Sequence, residues 1–413
     1  MECISSKVLV VEDSALNAAV LKDVLCNTYD LEFAADGESV LNIVLETQPD
    51  IILLDLVLPD IDGYEVCRRL KSNPKTKDIP VIFLTGRSEL EDEMKGFELG
   101  AVDYIIKPIS PPLLRARLKT HLQLRIEKCN SDQLIKNILP SSIVEELKAT
   151  GKTTPVCFEK AAVFFSDLVG FTRISSKMSP VELIAELNDL FTIYDEIIES
   201  NNCERIKTIG DAYMAVSGMS EDSTFYADNI VKSAIEILCF LKQRVNKSQY
   251  PWATTIGIDS GEVVGGVVGV KKYIYDIFGS TVNMASRLEG ASKIYKLDII
   301  ISDSVYDDIQ NPENFCLREI DTVRVKGEEH VLKLYEVFDC DEESLRACKK
   351  ETLPLFTEAM MDYRAGNFAD SLSKFTKCSE VCPEDFLPQL YIKRCSTLMR
   401  LPLSKDWEGV SGI

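Results

Sequence analysis

Five residues in the first third of the chain carry groups that could handle phosphate: Glu12, Asp13, Asp55, Thr85 and Lys107. They sit at or near the ends of apolar runs, in "KVLVVED", "IILLDLVLPD", "VIFLTG" and "VDYIIKP". Carboxylates brought together repel one another unless a hard divalent cation binds them, and Mg²⁺ with oxygen ligands suits Glu12, Asp13 and Asp55. Lys107 supplies a point charge for a phosphoryl group and Thr85 a hydroxyl to hydrogen-bond it.

A second set lies in the middle of the chain. In "FFSDLVGFT" Asp167 ends an apolar strand and is followed by a glycine-containing turn into a helix, so backbone N–H groups at Phe171 and Thr172 can face an anion while the acid holds a metal. In "KTIGDAYM" Lys207 and Asp211 flank a tight bend. Alone, that segment is an ordinary hairpin with a solvated lysine and a turn aspartate. A hairpin there could bring Asp211 alongside Asp167, and two carboxylates sharing two Mg²⁺ ions are the working parts of metal-assisted phosphoryl transfer.

These groups need scaffolds to hold them. Between Lys7 and Pro108 the apolar runs are continuous and alternate with helical-period stretches, which predicts a doubly wound parallel sheet covered on both faces, of flavodoxin-like kind. Ligands of such sheets bind beyond the carboxyl ends of the strands, where the acids fall. After Cys157, strand-like runs are separated by two long helical stretches, "PVELIAELNDLFTIYDEIIES" and "FYADNIVKSAIEILCFLKQRV". That order fits an antiparallel sheet with helices on one face, of ferredoxin-like kind.

Composition narrows the function. A net charge of −20 over 413 residues leaves no basic stripe for nucleic acid or an anionic membrane, so a phosphate ligand must be held locally, with metal ions offsetting charge. Thirteen cysteines without a CxxC pair read as a reduced, cytoplasmic protein, with a metal at Cys378 and Cys382 left open. No run is long enough to span a membrane, and the first residues lack a signal peptide's features. The two histidines, His121 and His330, read as surface residues, which argues against imidazole base chemistry.

Residues from about 6 to 122 resemble the receiver domain of two-component response regulators, on the strand-end acids, "LDLVLPDIDGYE", Thr85 and the "KP" at 107 and 108. The resemblance implies that Asp55 is the phosphoacceptor, that Glu12 and Asp13 hold Mg²⁺ with it, and that Tyr104 reorients with Thr85. A histidine kinase or phosphotransfer protein would be the upstream partner. Roughly residues 157 to 338 resemble the class III nucleotidyl cyclases, on "FFSDLVGFT", "ERIKTIGDAYMAVSG", "YIYDIFGSTVNMASRLEG" and "VRVKGEEH". That resemblance implies a homodimer with shared sites. One chain gives the metal ligands Asp167 and Asp211. The other gives Lys207 and Asp276 to read the purine, Asn283 to orient the ribose, Arg287 for the α-phosphate and Lys326 for the terminal phosphates.

The expected organisation is a receiver at 1–122, a helical linker or dimerisation segment at 123–156, a cyclase domain at 157–338 and a helical tail at 339–413. Leu114, Leu118, Leu122, Ile126, Leu134 and Ile138 recur at helical spacing, which suits packing on the receiver and dimerisation equally. In the tail, "YRAGNFADSLSKF" resembles one tetratricopeptide repeat, although a lone repeat cannot bury its face and a cap on the cyclase is the plainer reading. The function expected is a phosphorylation-regulated adenylate cyclase acting on ATP with Mg²⁺ or Mn²⁺. The alternatives are a guanylate cyclase, or a non-catalytic phosphorelay partner that only binds nucleotide.

Overall fold

The computed structural model describes residues 6–86, 90–136, 138–219, 224–245, 250–269, 272–324, 331–400, 407 and 409–412. Lys326 and His330, singled out above, lie outside the described residues. The chain forms two compact units, 1–144 and 145–413.

The first unit alternates strand and helix: β1 Lys7–Val11, α1 Ala15–Leu25, β2 Asp30–Ala34, α2 Gly37–Thr47, β3 Ile51–Asp55, α3 Gly63–Ser72, β4 Val81–Thr85, α4 Leu90–Glu98, β5 Asp103–Ile106 and α5 Pro111–Lys136. The strands pair in parallel in the order β2-β1-β3-β4-β5. Successive residues of one strand feed opposite cores. Leu9 and Val11 pack with α2 and α3 side chains, while Val8 and Val10 pack with Leu21, Leu114 and Leu118. Continuous hydrophobicity is what this two-sided burial requires. A side chain at position 63 would have its Cβ 2.3 Å from the Asp55 carbonyl oxygen, so Gly63 lets α3 start directly behind Asp55.

Helix α5 divides in two. Leu114, Leu118 and Leu122 are buried in the receiver core, whereas Leu124, Ile126, Leu134 and Ile138 beyond them are exposed. His121 is not a plain surface residue either, because its Nε2 lies 3.1 Å from Asp103 Oδ2 and its side chain is largely covered. Helix α6, Ser141–Thr150, follows.

The second unit is built on β6 Val156–Leu168, α7 Phe171–Ser175, α8 Pro180–Ser200, β7 Glu204–Ile209, β8 Ala212–Ser217, α9 Tyr226–Val245, β9 Thr254–Val268, β10 Ile274–Phe278, α10 Ser280–Tyr295, β11 Ile299–Ser302, α11 Asp303–Asp308, β12 Leu317–Arg324 and β13 Val331–Val337. Its central order β9-β6-β8-β7 is antiparallel and ferredoxin-like, extended by β11, β13 and β12 on one side. Helices α8 and α9 cover one face through Leu190, Tyr194, Ile230 and Ile237. The other face is not bare, because Ala285 of α10 packs there on Ala161, Val163 and Val263. Gly257 permits that contact: a Cβ there would lie 2.2 Å from the Glu289 amide nitrogen and 2.3 Å from the Ala285 carbonyl oxygen.

Three further helices, α12 Glu343–Arg364, α13 Phe368–Val381 and α14 Phe386–Leu398, complete this unit, and a short β14, Ser411–Gly412, pairs with β12. Their aromatic centre, Phe356, Phe375 and Tyr391, belongs to one buried cluster with Leu288, Ala291 and Tyr295 of α10 and with Ile320 and Leu334 of the sheet. Arg318 crosses this boundary fully buried, donating to Glu336 Oε2 at 2.5 Å and to Asp385 Oδ2 at 2.5 Å. Among the described residues no helix is long and apolar enough to cross a membrane.

Candidate active sites

At the carboxyl edge of the parallel sheet, oxygens of Glu12, Asp13 and Asp55 lie within 4.8 Å of one another. Glu12 and Asp55 are buried, and Asp13 is exposed. Lys107 Nζ donates to Glu12 Oε2 at 2.7 Å and to Asp55 Oδ2 at 2.6 Å. Burial works against its ammonium, but the bonds to Asp55 and Glu12 outweigh that and leave its pKa raised. Thr85 is buried at the end of β4, and its carbonyl accepts from the Lys107 amide at 2.7 Å. Tyr104 is half-buried, edge-on to Phe97 at 5.9 Å and 5.5 Å from the Arg117 guanidinium carbon. All five polar residues named from sequence thus converge on one edge, with Tyr104 on the neighbouring strand. Sequence reasoning missed Asn17, whose Nδ2 donates to Glu12 Oε1 at 2.7 Å. The spacing of a polar residue one turn into α1 was the available signal.

In the second unit Asp167 closes β6, and the β7–β8 hairpin returns Asp211 to its side. Burial, then the hydrogen bond and charge of Asp167, push the Asp211 carboxyl up to about 6. Two carboxylates side by side form an oxygen donor set suited to a hard divalent cation, so the residues present fit the metal that the sequence implies. Lys293, from the last turn of α10, donates to Asp167 Oδ2 at 3.0 Å and lies 3.2 Å from Glu289 Oε1. Neither Lys293 nor Glu289 was read from sequence, since a lysine near a helix end ordinarily complements the helix dipole.

Lys207 and Asp276 form a separate pair, with Lys207 Nζ donating to Asp276 Oδ2 at 2.5 Å between β7 and β10. The second Asp276 oxygen accepts from the Ile277 amide at 2.9 Å. Asn283 and Arg287 are exposed one turn apart on α10. At 100° per residue, Arg287 and Glu289 are about 200° apart around that helix. Lys293, whose ammonium reaches Asp167, is about 120° from Arg287 and about 80° from Asn283 around the same helix. Phe171 stacks on Trp252 at 6.0 Å within the core, so its ring is committed to packing, while Thr172 beside it is exposed. Cys378 and Cys382 are both buried, and burial raises each thiol, Cys382 with a further contribution from Cys348.

The family model of the response regulator receiver domain matches residues 8–119, and that of the adenylate and guanylate cyclase catalytic domain matches residues 155–338. This chain joins a receiver domain to a class III cyclase domain. Retinal guanylyl cyclase 1 from Homo sapiens is 37% identical to the receiver–cyclase over 193 residues, 46% of this chain and 17% of that protein. An adenylate cyclase from Mycobacterium bovis is 32% identical over 215 residues, 52% of this chain and 48% of that protein. The receiver–cyclase thus spans less than half the length of either curated relative. The solved guanylate cyclase domain of RhGC from Catenaria anguillulae, in complex with GTP, is 34% identical and covers 44% of this chain and 97% of that chain, with a TM-score of 0.40.

Proposed function

We propose that the receiver–cyclase is a homodimeric adenylate cyclase that converts ATP to 3′,5′-cyclic AMP and pyrophosphate under control of phosphorylation at Asp55. The observation that carries the substrate is the Lys207–Asp276 pair. Lysine can only donate and an ionised aspartate can only accept. Adenine offers an acceptor at N1 and a donor at N6, and the ammonium keeps spare N–H groups for N1 while it holds Asp276 in place. Guanine reverses both edges and would set donor against Lys207 and carbonyl against Asp276. Two mispaired contacts in a desolvated pocket correspond to a selectivity on the order of a hundredfold or more.

Asp167 and Asp211 would hold the divalent cations, which when bound favour ionisation of the 3′-hydroxyl and offset charge on the departing pyrophosphate. The 3′-oxygen forms its bond to the α-phosphorus as the bond to pyrophosphate breaks, and the hydroxyl proton passes to solvent. Arg287 meets the charge growing on the α-phosphate with its planar fork, and Asn283 fixes the ribose. Lys326 would pair with the terminal phosphates. The amides at Phe171 and Thr172 begin α7 close behind Asp167 and suit the phosphate chain. Exposed Ile209 and Phe278, on or beside the strands of the purine pair, and the exposed second half of α5 suit burial against a second copy.

Comparing kcat/KM for ATP and GTP tests the substrate. Wild type is expected to favour ATP by about a hundredfold, and Lys207→Glu combined with Asp276→Ser to erode that preference. A wild type that prefers GTP, as the names of several relatives would suggest, overturns the adenylate reading. For the switch, a small-molecule phosphodonor is expected to change the rate of wild type and leave Asp55→Ala unaffected. A tenfold shift needs only about 1.4 kcal/mol of differential stabilisation, within reach of new charge-assisted bonds. Equal rates with and without verified phosphorylation would uncouple receiver from output.

A further inference from the structure

Lys293 reaches past its own helix to the strand-end acid Asp167. Its ammonium is 3.0 Å from one oxygen of Asp167 and 3.2 Å from Glu289, one turn earlier on the same helix. Glu289 is itself buried and fixed, accepting from the Thr255 hydroxyl at 2.6 Å. Thr255 is the residue facing Asp167 across the β6–β9 ladder. The chain Thr255, Glu289, Lys293, Asp167 is therefore closed, and it aims a fixed positive charge at a carboxylate that the proposed reaction needs for a divalent cation.

We infer that Lys293 is a resident cation at the metal site, which competes with divalent ions for Asp167 and makes their binding depend on nucleotide. The inference rests on the reading of Asp167 and Asp211 as metal ligands. Two effects act in the same direction. The ammonium occupies one lone-pair direction of Asp167, and it repels an incoming like charge. Over half of the Lys293 side chain is exposed, so water screens the effect and it is modest. A triphosphate adds negative charge to the site and tips the balance toward the metal, so ions are taken up with their nucleotide instead of ahead of it. A lysine that only complemented the dipole of α10 would stabilise the helix and leave ion binding unchanged.

The test measures Mn²⁺ binding by loss of the free-ion electron paramagnetic resonance signal, without nucleotide. It uses the full chain with Asp13→Asn and Asp55→Asn to silence the receiver's ligands. Lys293→Met and Lys293→Gln are expected to lower the Kd about two- to fivefold, the scale of one partly exposed charge. Lys293→Arg, which keeps the charge, should stay close to the parent. Unchanged or weaker binding in both neutral variants overturns the role of Lys293. Adding Asp167→Ala to the parent separates the two readings. If it leaves Mn²⁺ binding intact, the metal-ligand assignment itself is wrong, whereas if it abolishes binding and the Lys293 variants behave as the parent, only the present inference fails.

Discussion

Asp167→Ala and Arg287→Ala are each expected to be nearly inactive alone and to regain activity when coexpressed. On the proposed mechanism the first removes a metal ligand and the second the cation that meets charge in the transition state, and a loss of one such group typically costs about a hundred- to a thousandfold in rate. Recovery follows if, as proposed, each site of the homodimer takes Asp167 from one copy and Arg287 from the other. In a mixed dimer one site collects both lesions and the other neither. Site counting over a two-fold axis gives up to about half of the wild-type rate per mixed dimer. Mixed dimers that demonstrably form but stay inactive would show that each chain completes its own site.

The largest effect on stability is expected from Arg318→Ala. This guanidinium is buried between Glu336 of β13 and Asp385 before α14, and Glu336 is bound in turn by Lys349 at 2.6 Å. Removing one partner of a buried ion pair leaves uncompensated charge in a low-dielectric interior, at a cost of about 3–5 kcal/mol. Denaturant unfolding followed by a probe within residues 145–413 should report that loss in one transition covering both sheet and final helices. A loss below about 1 kcal/mol, or separate transitions for sheet and helices, would mean that Arg318 does not bind them into one folding unit.

Much of this arrangement could be read from residue order because burial on two faces leaves a plain record. The receiver strands are continuous apolar runs since both sides of β1 and β3 are covered, and their polar terminators are the residues that meet at Asp55. That Asp211 would lie beside Asp167 was likewise legible, since a hairpin after Lys207 returns the second acid to the end of β6. Three features left weaker traces. Periodicity locates the apolar side of α5 but not what lies against it, and the buried Leu118 and the exposed Ile126 carry the same signal. Lys293 finds its partner 126 positions away, a pairing that no local pattern encodes. His121 looked solvent-facing because its partner Asp103 belongs to a different element.

The cluster that ties Phe356, Phe375 and Tyr391 to α10 also bears on how such proteins can be recombined. The matched catalytic region ends at residue 338, yet Leu288, Tyr295, Ile320 and Leu334 share one buried cluster with Phe356, Phe375 and Tyr391 beyond it. A chimera spliced at 338 would transplant half of a hydrophobic interior and leave the helix bearing Asn283 and Arg287 without its support. At the other end, position 155 falls just before β6 and a few residues after the compact unit begins at 145. The stretch that must travel together to keep α10 in place is thus longer than the stretch that relatives share.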